Sequence, residues 1–347
     1  MIARCSARRT VARAALLALV VVTGLGAQAC SARPQDCARP DVRCAGLVTG
    51  FGSLHEGISQ QSWLALQDAR AAGVLDRVDS IETVDSRDRA ANIADFGDAG
   101  YDIIVTVGAG IADETVSAAK KYPDVYFIGV QQSLDRGAAP GNLAALVFHE
   151  EESGFLAGAA AALTTRTRHV AAVCEADFID SIHRYCEGFQ AGARYVDPEI
   201  RVAVAYRSGP QELLFRDSEW GRAAAIQELA EGADVVFAVG EETAEAALAA
   251  AATGGALVIG AETDAYAGLP EIRPQLVTSA TLDFRSGLLT LLRETVEGRF
   301  PAGDYQGRVG LAPFHDFEAR MAPDSMKKLQ GIAADLESGA IHIDISR

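Results

Sequence analysis

The sequence contains none of the short motifs that mark the common catalytic sites. None of its six histidines lies in an HExxH zinc motif, and no serine lies in a GxSxG turn. A GxxxxGKS/T phosphate loop is absent, and Gly108 and Gly110 form only GxG, without a third glycine. No two cysteines are spaced as CxxC, and no cysteine and histidine cluster has zinc spacing. We therefore expect a protein that is not an enzyme and has neither a cofactor nor a metal site.

Beyond the first 29 residues, the chain has no apolar run of the roughly 20 residues that a membrane-spanning helix needs. Residues 1–29 combine four arginines, the apolar stretch from Ala14 to Val22, and small residues before Cys30, which is the order of a secretory signal. The residues before Cys30 are similar to a bacterial lipobox, with Ala27 where an aliphatic residue is usual. We expect cleavage after residue 29, lipid on Cys30 and an extracytoplasmic location on the bacterial cell membrane. The alternative is ordinary signal cleavage, with Cys30 left unmodified.

Basic residues are too few to balance the acidic ones. The net charge is −16, and because residues 1–29 contain no acid, their removal leaves 27 basic and 47 acidic residues, a net charge of −20. An acidic surface repels phosphate backbones, so we expect no nucleic-acid partner.

Cysteine is sparse, and its number is even once Cys5 in the signal and Cys30, the expected lipid carrier, are set aside. Cys37, Cys44, Cys174 and Cys186 remain, and four cysteines allow three connectivities. In an oxidising compartment we favour the local pairs Cys37–Cys44 and Cys174–Cys186. Free, buried thiols are the alternative.

Short apolar runs alternate with alanine-rich helical stretches after a polar segment, residues 30–44, which we expect to be a tether. The expected strands are Ala45–Thr49, Val78–Val84, Ile103–Val107, Val125–Val130, Leu143–Phe148, His169–Val173, Val202–Tyr206, Val235–Val239, Ala256–Ile259 and Gln275–Ser279. The expected helices are Ser59–Ala72, Arg89–Gly97, Ile111–Lys121, Gly154–Leu163, His183–Tyr195, Arg222–Glu231, Thr243–Ala251 and Phe284–Glu297. This alternation, in blocks of about 45–148 and 150–262, predicts an α/β fold of two lobes with parallel sheets flanked by helices.

Glycine and polar residues follow many of the expected strands. Ligands bind at the carboxyl ends of strands in open α/β sheets, so these residues are candidates for one cleft. Glycine lets backbone N–H groups approach a ligand, and carboxylates accept hydrogen bonds from hydroxyls or amines. The candidates from this pattern are Phe51, His55, Glu56, Asp113, Phe178, Gly240, Glu262 and Asp264.

Seven segments occur in an order and spacing that resemble those of one known family. They are Gly46–Thr49, Gly100–Gly108, Ala112–Asp113, Tyr122–Val125, Phe148–Gly158, Glu187–Val196 and Val309–Phe314. In these segments the chain is similar to the basic membrane protein family of ABC-transporter substrate-binding lipoproteins. The resemblance extends over about residues 45–345. That family includes the purine-nucleoside-binding lipoproteins.

The resemblance implies a type I periplasmic-binding fold with three hinge crossovers, near Phe148, Asp264 and Val309. The N-terminal lobe would comprise residues 45–148 plus about 265–308. The C-terminal lobe would comprise residues 149–264 plus about 309–347. The ligand would bind at the hinge, and closure about the crossovers is the expected motion.

The family's site residues carry over only in part. Ile58 stands where the family has a phenylalanine that stacks on the base, and Glu262 stands where it has a ribose-binding aspartate. Leu282 occupies roughly the place of the family's lysine, whereas Asp113 is retained. Phe178 is the candidate for a replacement stacking face.

The resemblance implies an extracytoplasmic solute-binding lipoprotein of an ABC importer that captures a small polar ligand, a nucleoside or a related compound. Its partners would be that ligand, an ABC permease and, through the lipid anchor, the membrane; we expect a monomer. The alternative is a sensory or regulatory ligand-binding lipoprotein that signals to a membrane receptor.

Overall fold

The computed structural model describes residues 37–50, 53–55, 57–134 and 140–345, which belong to one compact unit. The strands are β1 (Cys44–Thr49), β2 (Arg77–Ile81), β3 (Ile103–Val107), β4 (Tyr126–Val130), β5 (Leu143–Val147), β6 (His169–Cys174), β7 (Arg201–Tyr206), β8 (Val235–Val239), β9 (Leu257–Glu262), β10 (Leu276–Leu282), β11 (Gly303–Gln306) and β12 (Val309–Leu311). The α-helices are α1 (Gly57–Ala71), α2 (Arg89–Asp98), α3 (Ala112–Lys121), α4 (Glu150–Thr164), α5 (Asp180–Val196), α6 (Ser218–Ala230), α7 (Glu241–Thr253), α8 (Ala265–Gly268), α9 (Phe284–Val296) and α10 (Pro323–Glu337).

The strands form two six-stranded sheets with the same strand order. The first sheet runs β11-β5-β4-β3-β1-β2, and all its strands are parallel. The second runs β12-β10-β9-β8-β6-β7 and is parallel except for β12, which pairs antiparallel with β10. Strands β1 to β5 therefore correspond in position to β6 to β10. The predicted α/β fold of two lobes with parallel sheets is confirmed.

The central strands are mostly apolar and are buried along their whole length, because helices cover both faces of each sheet. Every residue of β1, β3 and β8 is buried. β-Branched residues such as those of Ile103–Val107 and Val235–Val239 pack well on a doubly covered parallel sheet. Since β1 and β3 run in register, from Ala45 opposite Ile103 to Thr49 opposite Val107, their carboxyl ends reach the same edge.

Helices α4 and α5 pack against each other at very short range through glycines. A Cβ atom on Gly158 would overlap the carbonyl oxygen of Phe189, and one on Gly192 would overlap that of Phe155. This close approach buries most of α4, including Leu156.

The chain crosses between the lobes three times, and the second crossing differs from the prediction. The first lies at residues 148–149 and the third at residues 307–308, close to the expected positions. The second was expected near Asp264, with residues 265–308 in the N-terminal lobe. Strand β10 instead pairs with β9 in the second sheet, so the chain returns to the first lobe only at Asp283, and α9 then packs on α1.

The three crossings are hydrogen-bonded side by side and share an aromatic core. Gly307 N donates to Val147 O at 2.8 Å, and Asp283 N donates to Arg308 O at 2.9 Å. The rings of Phe148 and Phe284 meet edge to face, with centroids 4.8 Å apart. The ring of Phe148 also lies against Gly307, so a Cβ atom on residue 307 would overlap this ring. We call residues 148–149, 283 and 307–308 the hinge.

Both expected disulfides, Cys37–Cys44 and Cys174–Cys186, are present. The first shows that the expected tether ends earlier than residue 44. Cys37, Val42 and Cys44 are buried in the apolar cluster that contains Phe96. The short disulfide loop thus packs against the first lobe, because its apolar side chains have a surface to cover there.

Four elements, α8, β11, β12 and α10, were not predicted. Strand β11 reads Gly-Asp-Tyr-Gln and alternates half-buried with exposed positions at the edge of the sheet, so it lacks an apolar run. Helices α4 and α5 also begin three to four residues before the predicted starts, at Glu150 and Asp180, because acidic residues are favourable in a helix's first turn.

Candidate functional site

The carboxyl ends of the two sheets meet where Gln131, after β4, contacts Glu262, at the end of β9. We call the region between these strand ends the cleft. From the first lobe the chain segments at this edge are those after β1, β3 and β4, which begin with Gly50, Gly108 and Gln131. From the second lobe they are the segments after β6 and β8, which begin with Glu175 and Gly240, and the end of β9 at Glu262. Both strand sets are central in their sheets, so their polar termini form the candidate ligand site.

Gln131 and Glu262 join the two lobes across this cleft. The Gln131 Nε2 donates to Glu262 Oε1 at 3.5 Å, which makes this the one side-chain hydrogen bond between the lobes within the described ranges. The two residues follow or end the corresponding strands β4 and β9. Both have left-handed backbones, with φ of 54° and 65°, although neither is glycine. Such conformations are uncommon for residues with a Cβ and cluster at binding sites.

Acidic groups cluster behind this pair at the hinge. Glu150, the first residue of α4, is only 8% exposed, and burial raises the pKa of its carboxyl to about 7. Arg184 opposes that rise, whereas Glu151 and Glu262 add to it. Burial also raises the pKa of Glu262, and the Gln131 hydrogen bond opposes this. The hinge side of the cleft can thus hold protonated carboxyls, which donate as well as accept hydrogen bonds.

The floor of the second lobe contains a buried ion pair that the sequence did not indicate. Glu175 is fully buried and pairs with Arg207, which is 4% exposed. Arg207 also donates to Pro210 O at 3.1 Å and to Asp217 Oδ2 at 3.4 Å. The second carboxylate oxygen of Glu175 has no hydrogen-bond partner among the described residues. This pair links the segments that follow β6 and β7.

Position 240, next to that ion pair, accepts only glycine without strain. Its φ is 124°, and a Cβ atom there would lie 2.5 Å from the Cβ of Glu175. Gly240 directly follows β8 and precedes α7.

Arg89 lies on the floor of the first lobe and was not among the expected site residues. It opens α2, and its Nε donates to Gly50 O at 2.7 Å while its Nη1 donates to Gly110 O at 2.5 Å. Gly50 and Gly110 belong to the segments after the neighbouring central strands β1 and β3. The guanidinium is therefore placed between these two strand ends, half-buried at the cleft edge.

Other expected residues occupy this edge with different degrees of exposure. Asp113 is exposed in the first turn of α3, and Phe178 is 60% exposed on the segment after β6. Asp264 caps α8 by accepting from Tyr266 N at 3.1 Å, and its other oxygen lies 2.7 Å from His315 Nε2. Its carboxylate is therefore already engaged by the protein.

The segment before α1 is described only in part. His55 is exposed, and its carbonyl accepts from Gln60. Ile58 lies in the first turn of α1 and packs against the main core. Phe51, Glu56 and Cys30 lie outside the described residues. Leu282, at the place of the family's lysine, is 4% exposed and belongs to the core.

Among the described residues, no helix is long and apolar enough to cross a bilayer. They also contain no group of three or more His, Cys, Asp or Glu side chains placed to hold a metal ion.

Two lobes of parallel sheet, a three-stranded hinge and a polar cleft at the strand ends define the class of two-lobed solute-binding proteins. The family model of the PnrA-like ABC transporter substrate-binding proteins, which describes their shared sequence pattern, matches residues 54–308 of this chain. The chain belongs to this family.

Two curated relatives and one solved structure show the extent of the similarity. The ABC transporter nucleoside-binding protein BmpA of Lactococcus lactis is 26% identical over 202 residues, which are 57% of this chain and 55% of that protein. The CD4+ T-cell-stimulating antigen of Listeria innocua is 24% identical over 66% of this chain and 64% of its own length. The chain thus spans less than two thirds of either relative.

The fold is also that of a solved ABC transporter solute-binding protein from Aeropyrum pernix. The TM-score is 0.73 at 18% identity, and the similarity covers 88% of this chain and 94% of that one. At this level of identity, the comparison supports the fold alone.

Proposed function

We propose that this protein captures a nucleoside, or a related small polar compound with a planar part, in the cleft and delivers it to an ABC permease. The observation that carries the proposal is the Gln131–Glu262 pair, in which two left-handed, polar residues from corresponding strands meet across the cleft. A bound ligand can replace their mutual hydrogen bond with bonds to its own polar groups. Family membership and the name of the Lactococcus relative support the nucleoside class.

The remaining expected contacts complete the proposed site. Phe178 offers an exposed ring from the second lobe to stack on a planar group, and Asp113 offers a carboxylate from the first. We also include His55, Ile58, Gly240 and Asp264 in the proposed site, and Phe51 and Glu56 on the sequence pattern alone. Because no expected residue is an activated nucleophile, we propose binding without turnover.

The proposed location is the outer face of the cell membrane, with lipid on Cys30. The signal-like order of residues 1–29 supports this location. The intact mass of the mature protein from a lipidating host distinguishes lipid on Cys30 from plain cleavage.

Calorimetry against nucleosides, free bases and flavins tests the proposed function. We expect at least one nucleoside to bind the wild type. Glu262→Ala should weaken binding by roughly ten- to a hundredfold, because a polar group of the ligand would be left buried without its partner, at a cost of about 1–3 kcal/mol. Glu242→Ala, an exposed acid in the first turn of α7, is the control and should bind like the wild type.

Two outcomes would contradict different parts of this proposal. A wild type that binds no compound of the panel would show that the ligand class is wrong. A ligand that binds the wild type and Glu262→Ala equally well would leave the class intact and show that the site is misplaced.

A further inference from the structure

Arg89 presents unused hydrogen-bond donors at the floor of the first lobe. A guanidinium has five N–H groups, and the carbonyls of Gly50 and Gly110 accept two of them. No carboxylate within the described part of the chain forms an ion pair with Arg89. By contrast, Arg87, two residues earlier, pairs with Asp85. Three N–H groups on the two terminal nitrogens of Arg89 therefore stay available.

The two carbonyl contacts also fix the orientation of that donor pair. They hold the planar guanidinium from the ends of two neighbouring strands, β1 and β3, so its plane is set before a ligand arrives. A fixed guanidinium loses less conformational entropy for each hydrogen bond it makes. Nη1 keeps one N–H group and Nη2 keeps both, so the two terminal nitrogens can together donate to two adjacent acceptor atoms.

The surroundings favour a neutral acceptor pair over an anion. A donor pair of this kind binds a carboxylate, a phosphate, or the ring nitrogen and carbonyl oxygen of a 6-oxopurine. Asp113 and Glu114 lie in the first turn of α3, three and four residues beyond Gly110, and the whole chain carries a net charge of −16. These charges repel an anion, but they leave a neutral edge unaffected.

We propose that Arg89 is a ligand-contacting residue that recognises the edge of a 6-oxopurine, where a carbonyl oxygen lies beside a ring nitrogen. A 6-aminopurine places an amino donor where the carbonyl would be, so it offers the donor pair one acceptor instead of two. Arg89 thus selects among purine nucleosides in favour of the oxo form. The inference rests on the proposed nucleoside-binding function and specifies its ligand further.

Calorimetry with four probes on three variants tests this selection. The probes are inosine, 7-deazainosine, adenosine and inosine 5′-monophosphate, and the variants are Arg89→Met, Arg89→Lys and the control Arg87→Met. The wild type should bind inosine roughly tenfold or more tightly than adenosine and 7-deazainosine, each of which lacks one acceptor. Arg89→Met should lower inosine affinity by roughly ten- to a hundredfold while changing adenosine affinity much less.

The two remaining variants separate recognition from general support. Arg89→Lys keeps the charge but loses the pair of adjacent donors, so it should also lose the preference for inosine. If Arg89→Met does not fold, the result for Arg89→Lys tests the inference alone. Arg87→Met should keep both affinity and preference, because that side chain is exposed and bonds only to Asp85 in the hydrogen bonds described for it.

Three results would overturn the inference. An equal loss for every nucleoside in both Arg89 variants would show that the arginine only braces the two strand ends. An Arg89-dependent gain for inosine 5′-monophosphate over inosine would show an anion site instead. If the wild type binds no nucleoside, the proposed function fails together with the inference, whereas nucleoside binding without an Arg89-dependent preference overturns the inference alone.

Discussion

At the residue scale, the site combines side chains that the sequence indicates with others that it does not. Glu262 and Gly240 follow apolar strands and were expected at the cleft. Gln131 also follows an apolar strand, Tyr126–Val130, and that position was a usable signal. Glu150 gave no such signal. An acid at the start of a helix is ordinary, and its burial arises only because the hinge covers it.

The buried carboxyl of Glu150 should make stability depend on pH. Its pKa is raised from 4.5 to about 7, so the folded protein holds this proton over a pH range in which the unfolded chain has released it. Stability therefore falls as pH rises from 4.5 to about 7, by at most about 3 kcal/mol from this group. In urea unfolding of the ligand-free protein, Glu150→Gln should match the wild type near pH 5 and be more stable at pH 8.

The control for this change is Glu242→Gln, since Glu242 has the same kind of helical position on α7 but is exposed. It should keep the pH dependence of the wild type. If Glu150→Gln also shows the wild-type pH dependence, the carboxyl of Glu150 is not the group responsible.

At the element scale, apolar strands and alanine-rich helices were predictable, but their packing partners were not. The run of small residues in Glu150–Thr164 predicts a helix and not the neighbour it touches. The structure shows that glycines on α4 and α5 allow backbone contact between these two helices. Edge strands such as β11 and β12 are short and half-exposed, so their hydrogen-bonding partners define them more than their composition does.

The α4–α5 contact should make Gly158 intolerant of a methyl group. Gly158→Ala places Cβ onto the carbonyl oxygen of Phe189, and we expect it to destabilise the fold by about 1–3 kcal/mol or more. Gly331→Ala, on the exposed face of α10 with no atom within 4 Å of the added Cβ, is the matched control. It should stabilise slightly, because alanine has the higher helix propensity.

Chemical denaturation of both variants measures the difference. A Gly158→Ala protein as stable as Gly331→Ala would show that the two helices can separate at little cost and that the contact does not limit the packing of α4.

At the scale of the whole molecule, the hinge joins the cores of the two lobes. Phe148 from the first crossing packs on Phe284 after the second, and both rings belong to one buried cluster that extends into each lobe. The absence of a side chain at Gly307 lets the third crossing lie against the same ring. Closure of the cleft must bend these three segments together.

Gly307→Ala should impair that motion. The added methyl overlaps the ring of Phe148, so the three crossings must move apart, and the lobes should adopt a different mutual angle. Small-angle scattering should show an altered radius of gyration for the ligand-free variant and a smaller change on adding inosine. Gly310→Ala, three residues further on with open space around its Cβ, should behave like the wild type. Identical scattering of the two variants, with and without inosine, would contradict this role for Gly307.

The sequence by itself determined the α/β class, the two lobes and the family, because apolar runs and ordered motifs are local features of the chain. It only favoured the two local disulfides, and the structure selects them over the other connectivities and over free thiols. The tertiary structure decided which sheet receives a strand, since pairing depends on the distant edge that is free. It therefore moved the second crossing from Asp264 to Asp283 by placing β10 beside β9. It also brought Arg89 to Gly50 and Gly110, and Gln131 to Glu262, because contacts between residues 21 to 131 positions apart arise only when the strand ends converge.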